Sequence, residues 1–131
     1  MCMREALKDA GIKPQQIDYI NAHATATVQG DLAESAAIYK LFGNNTPVSS
    51  FKGHLGHTLA ASGALELCAV VGMLDRQCLI PTLNLDNVDD ACKPIQHVKM
   101  LQTAKLQTVI KNNFALGGVN SSLVMRSYQN D

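Results

Sequence analysis

Charge is what this sequence has little of. Only 17% of its 131 residues are charged, and 11 basic against 11 acidic side chains leave no net charge. Sparse, balanced charge excludes the broad field that drives binding to nucleic acid or to an anionic membrane surface. Tryptophan is absent, and the four cysteines (Cys2, Cys68, Cys78, Cys92) form no CxxC pair. Without that pair or a metal-ligand rhythm, neither a zinc site nor a dithiol motif is indicated. Apolar runs such as "CAVVGML" are too short to span a bilayer, and no secretory leader is visible. The expected location is a reducing cytoplasm. No internal repeat or low-complexity tract interrupts the chain.

What is present is apolar. Hydrophobic residues make up 47% of the sequence, rich for a small domain whose high surface-to-volume ratio calls for polar cover. Some of that surface is expected to meet another protein surface. Met3, Ala6, Leu7 and Ala10 recur at helical spacing, and Gly11 and Pro14 end that helix. "IDYINA" reads as a buried strand leading to His23, followed by the small polar loop "HATATVQG". Asp31 with Glu34 three residues on resembles a capping box opening a second helix, which Gly43 ends. "PVSS" is a second strand. Thr58 to about Leu74 is expected to be a central helix, apolar almost all round, with small residues from Ala60 to Ala64 in its first turns. "CLIPTLNLD" is extended, and Asn84 to about Lys105 is irregular, with His97 an exposed residue. "LQTVIKNNFALGGVNSSLVMRSY" gives two strands joined through Gly117 and Gly118. This order predicts a layered α/β domain.

Polar groups collect where strands end. His23 ends the first strand, His57 follows the second, and Asn113-Phe114 closes a later one. In open α/β sheets ligands lie beyond the strand carboxyl ends, so these places point to one pocket. His57 immediately precedes the predicted central helix, whose dipole would favour neutral imidazole, a donor suited to a developing oxyanion. Lys52 and Glu66 are placed to pair behind it. The alternatives are that His57 caps the helix and that Lys52 is a solvated cation. His54 and His57, three residues apart, lack a third ligand at metal-site spacing, and no metal is expected.

Four blocks then carry a specific resemblance. "INAHATATVQGDLAE", "SSFKGHLGHTLAASGALE", "PTLNLDN" and "NNFALGGVNSSLVM" resemble, in order and spacing, the motifs of the β-ketoacyl-acyl-carrier-protein synthases. The resemblance implies a thiolase-like fold, of which this chain is the C-terminal half, with a mixed sheet packed between helices. It implies decarboxylative condensation of an acyl thioester with malonyl-acyl carrier protein in fatty-acid or polyketide synthesis. His23 and His57 would be the catalytic histidines, with Lys52 and Glu66 orienting the site. Thr25 and Thr27 would bind phosphopantetheine, and Phe114, Leu116, Gly117 and Gly118 would line the acyl pocket. The substrate rides on the carrier protein's phosphopantetheine, and no cofactor of the enzyme's own is implied. Acyl carrier protein, the N-terminal half and a second copy of the complete enzyme are the implied partners. A chain-length-factor-like partner subunit or an inactive fragment are the alternatives.

The resemblance is incomplete in informative places. The family's nucleophilic cysteine belongs to the other half, and no cysteine here has its strand-to-helix setting; Cys92 follows two aspartates whose charge disfavours a thiolate. The isolated chain is therefore expected to be inactive. Ala24 stands where the family has glycine, and Ala115-Leu116 where it has Gly-Phe. If either glycine position needs a positive φ, alanine there costs about 1 kcal/mol.

Overall fold

The computed structural model describes residues 1–92 and 94–128. A five-stranded sheet organises them. Strand β1 (Tyr19–Asn21) lies at its centre, between β2 (Pro47–Ser49) and β6 (Thr108–Phe114), and pairs with both in parallel. Strand β4 (Gln96–His97) extends the sheet in parallel beyond β2, and β7 (Asn120–Arg126) closes the other edge antiparallel to β6. A separate pair joins β3 (Cys78–Leu79) to β5 (Gln102–Thr103). Parallel pairing of the three central strands puts their carboxyl ends on one edge, which is where the polar motifs fall.

Alternation along the strands divides the two faces. Ile20, Val48 and Ile110 point to one side, where Met3 and Leu7 of helix α1 (Cys2–Asp9) and Ile38 of α2 (Val28–Phe42) cover them. Tyr19 and Val109 point to the other, beneath Val70 and Met73 of α4 (Ser62–Arg76). Met3 and Leu7 are one helical turn apart, so both reach the sheet. Burying side chains of this size contributes roughly 1.5–3 kcal/mol each. The result is the layered α/β domain that the element order predicts, with the mixed sheet between helices that the resemblance implies.

Several local expectations give way. Helix α2 begins at Val28 behind Thr27, three residues before Asp31, so Asp31 is not its cap. Glu34 is buried and bonded elsewhere: a long-range set of donors wins over the local capping box. After β2 comes a single turn, α3 (Lys52–Leu55), and then a 3₁₀ turn at Leu59–Ala61 precedes α4, which starts at Ser62 rather than Thr58. Helix α4 buries only one face, with Ser62, Glu66, Val70 and Met73. Its opposite face exposes Ala64, Leu65, Cys68 and Val71, so Cys68 is not a core residue in this chain. The irregular segment holds β4 and β5, two residues each, and Lys93 within it lies outside the described residues. His97 is half-buried in β4, with its Nε2 shielded from solvent, rather than free on the surface. Among the described residues no helix is long and apolar enough to cross a membrane.

Candidate active site

His23 lies two residues past the end of β1, and its ring is nearly buried at 9% exposure. Its backbone is held from behind by α2. The Glu34 carboxylate accepts the amides of His23 at 3.0 Å and Ala24 at 2.8 Å, and also Asn112 Nδ2 at 3.1 Å. Asn112 in turn accepts Ser122 Oγ at 2.8 Å. One carboxylate thus ties a helix, a turn and two strands together. Burial pushes the Glu34 pKa up, against the hydrogen bonds from Ala24, His23 and Asn112. Glu34 therefore holds the turn that carries His23, a placement that the capping-box reading missed.

The turn it holds is strained. Ala24 has φ 29° and Ala26 has φ 62°, both in the region that L-residues avoid. Ala115, by contrast, has φ −124° and carries no such strain. Of the two alanines that replace family glycines, only Ala24 occupies a position where glycine would be easier.

His57 reaches the same edge from the segment after α3. The His23 and His57 ring centroids are 5.4 Å apart, edge to face, and Phe114 at the end of β6 lies 5.9 Å from His23. The three strand-end locations converge. The 3₁₀ turn separates His57 from α4, so the expected helix dipole does not act directly on it. Instead the Leu59 amide donates to His57 Nδ1 at 3.2 Å. An Nδ1 that accepts leaves Nε2 to carry the proton of the neutral ring. For His23, burial, followed by the positive charge of Lys52, pushes the pKa down to about 4. That ring is neutral at physiological pH.

Beneath the imidazoles lies a cluster of charge. Lys52 Nζ is 2.7 Å from Glu66 Oε1, and both side chains are buried, which overturns the solvated-cation alternative. Ser62 Oγ donates to the same oxygen at 3.1 Å. Lys111, in β6, bonds the other carboxylate oxygen. Sequence reasoning passed over it, although a lysine inside the apolar strand "TVIKNN" calls for a buried carboxylate. Burial disfavours the Glu66 anion, but hydrogen bonds and charge from Lys111 and Lys52 outweigh this and hold its pKa below the usual carboxylate range. The "PTLN" segment buttresses this turn. His54 Nε2 lies 2.9 Å from the Pro81 carbonyl, Thr82 Oγ1 accepts the Ser50 amide at 3.0 Å, and a side chain at Gly53 would collide with the Leu83 backbone.

The remaining predicted residues are placed less centrally. Thr25 and Thr27 bond one another through their hydroxyls at 3.1 Å at the start of α2. Gly117 and Gly118 both have φ 80° in the turn between β6 and β7. Leu116, in that turn, is 99% exposed. Among the described residues no three His, Cys, Asp or Glu side chains converge as metal ligands. A cavity of about 280 Å³ lies against α2, lined among others by Ala24, Thr27, Ile38, Val48 and Leu85, and neither His23 nor His57 lines it.

The carboxyl edge of a parallel-centred sheet thus gathers two imidazoles, a buried Lys–Glu pair and a phenyl ring. Residues 1–86 match the family profile described as the β-ketoacyl synthase C-terminal domain. The chain is 42% identical over 127 residues to 3-oxoacyl-[acyl-carrier-protein] synthase 2 of Coxiella burnetii, across 95% of this chain and 31% of that protein. It is 36% identical over 126 residues to the synthase 1 of Escherichia coli K12, across 95% of this chain and 30% of that one. A β-ketoacyl synthase structure from Burkholderia phymatum superimposes with a TM-score of 0.94 at 44% identity, over 97% of this chain and 31% of its own. A type II polyketide ketosynthase, solved with its acyl carrier protein and a hexaketide, gives 0.92 at 33% identity, over 98% and 32%. The chain belongs to the β-ketoacyl synthase family. It spans about a third of the length of these relatives.

Proposed function

We propose that this chain supplies the decarboxylation half of a β-ketoacyl-acyl-carrier-protein synthase site. The observation that carries the reading is the pair of imidazoles, His23 and His57, 5.4 Å apart beside Phe114. In the reaction, the bond between the malonyl carboxylate carbon and C2 breaks and carbon dioxide leaves. Its electron pair becomes the enolate of the thioester. Nε2–H donors from His23 and His57 stabilise the enolate oxygen, where neutral rings donate without losing the proton. The enolate carbon then attacks the acyl thioester on the cysteine of the N-terminal portion and expels the thiolate. Lys52 and Glu66 hold the floor of the site. Thr25 and Thr27 meet the phosphopantetheine arm of the carrier protein, and the turn from Phe114 through Leu116 to Gly117 and Gly118 borders the acyl chain once the other half closes over it. The whole enzyme works as a cytoplasmic homodimer.

Retention of both histidines supports this reading over a non-catalytic partner subunit, which needs neither donor. The test compares the chain alone with the same chain joined to a cysteine-bearing N-terminal portion, using acyl and malonyl thioesters of acyl carrier protein. Ketoacyl product is expected only from the joined enzyme. Product from the chain alone would contradict the division of labour, and none from a folded, acyl-loaded joined enzyme would contradict the proposed function.

A further inference from the structure

Strand β6 carries two consecutive polar residues that alternation sends to opposite faces of the sheet. Lys111 turns toward Glu66 of α4, while Asn112 follows Ile110 to the face that α1 and α2 cover. Asn112 is 0% exposed there. A buried side-chain amide costs free energy unless its donors and its acceptor are taken, and these are. Nδ2 donates to Glu34 Oε1 at 3.1 Å and to Met3 Sδ at 3.3 Å, and Oδ1 accepts Ser122 Oγ at 2.8 Å. Ser122 is the register partner of Asn112 across the β6–β7 pair, so strand pairing itself delivers that hydroxyl. The same bond decides which way the amide faces. With Oδ1 held toward Ser122, Nδ2 meets the carboxylate; the flipped amide would set oxygen against oxygen.

Glu34 Oε1 is shared between Asn112 and the His23 amide, and Oε2 takes the Ala24 amide. The two backbone amides belong to the turn, whose left-handed Ala24 stores strain. Asn112 brings a donor from the sheet, an element that does not move with the turn. We propose that Asn112 is a positioning residue that anchors the Glu34 carboxylate to the sheet and thereby holds the strained turn that carries His23, with Ser122 setting the orientation of its amide. That a fixed His23 serves decarboxylation rests on the proposed function; the anchoring does not.

The experiment follows hydrogen–deuterium exchange in the joined synthase over residues 22–26, with the β1–β6 pairing as the internal reference. Asn112→Leu, close in size, removes the donor without opening a large cavity. Exchange in the turn is expected to become about ten-fold faster or more, as for loss of a hydrogen bond to a charged group, while the reference changes little. Decarboxylation is expected to fall by roughly ten-fold from the displaced imidazole, with acyl loading much less affected. Ser122→Ala is expected to act in the same direction and by less. Because Asn112 acts through Glu34, Asn112→Leu is expected to cost less exchange protection in a Glu34→Gln background than in the native one. If Asn112→Leu does not fold, Ser122→Ala is measured in the same two backgrounds. Unchanged exchange in the turn, equal acceleration of turn and reference, or fully additive effects with Glu34→Gln would overturn the proposal. Exchange as expected in a joined synthase that does not decarboxylate would leave the anchoring role standing and remove the proposed function.

Discussion

Ala24 carries a left-handed backbone next to the histidine it positions, and the consequence is measurable. Relieving that conformation with glycine recovers about 1–2 kcal/mol, against roughly 0.4–1 kcal/mol lost because glycine frees the unfolded chain. Ala24→Gly is therefore expected to stabilise the fold, by up to about 1.6 kcal/mol. Ala115→Gly, at φ −124°, has no strain to relieve and is expected to destabilise it by about 0.4–1 kcal/mol. Denaturant midpoints at constant slope check both signs. Both alanines were visible in the sequence as departures from a glycine pattern. Which of the two is strained was not, because φ depends on how the turn is pinned. At Ala24 the pin is Glu34, whose oxygens take two consecutive amides. Lys111 was readable as an oddity in an apolar strand, but its partner is 45 residues away in sequence, and no local pattern announces such a pair.

Helix α2 shows how an element acts through one residue. Its buried Glu34 joins the turn after β1 to β6, so replacing the carboxylate changes three hydrogen bonds together. Glu34→Gln turns one acceptor oxygen into a donor that faces other donors. A loss of about 1.5–3 kcal/mol is expected, the range for hydrogen bonds to a charged group. Faster hydrogen exchange at the His23 and Ala24 amides, read alongside the denaturation midpoint, distinguishes this from a general loss of packing. Helices α1, α2 and α4 and strands β6 and β7 were legible because periodicity and glycine stops extend over many residues. The start of α2 was not, since Asp31 and Glu34 fit a local capping box that the long-range bonds override. Strands β4 and β5 contain two residues each. They exist through pairing, and two residues hold no period to read.

At the scale of the whole molecule, the outward face of α4 is apolar and, among the described residues, exposed. Val71 is 57% exposed and Leu65 43%, and Leu59 in the preceding turn is 77% exposed. The apolar excess in the composition foreshadowed such a face, although the sequence placed the entire helix in the core. The isolated chain is expected to self-associate or bind a hydrophobic dye, and joining it to the N-terminal portion is expected to abolish the dye signal. Light scattering that shows a monodisperse monomer without dye binding would count against a face built for another half. The carboxyl-edge convergence of His23 with His57 was legible from strand order. The neutrality of His23 was not, because it depends first on burial and then on the charge of Lys52. The most direct measurement of the central claim pairs two assays on the joined synthase: carbon dioxide release from malonyl-acyl carrier protein, and transfer of a labelled acyl group to the cysteine. His23→Ala and His57→Ala are each expected to slow decarboxylation by roughly 10²–10³, the usual effect of losing one oxyanion donor, and to leave acyl loading much less affected. Near-normal decarboxylation in either variant would contradict the assignment of that histidine as an enolate donor.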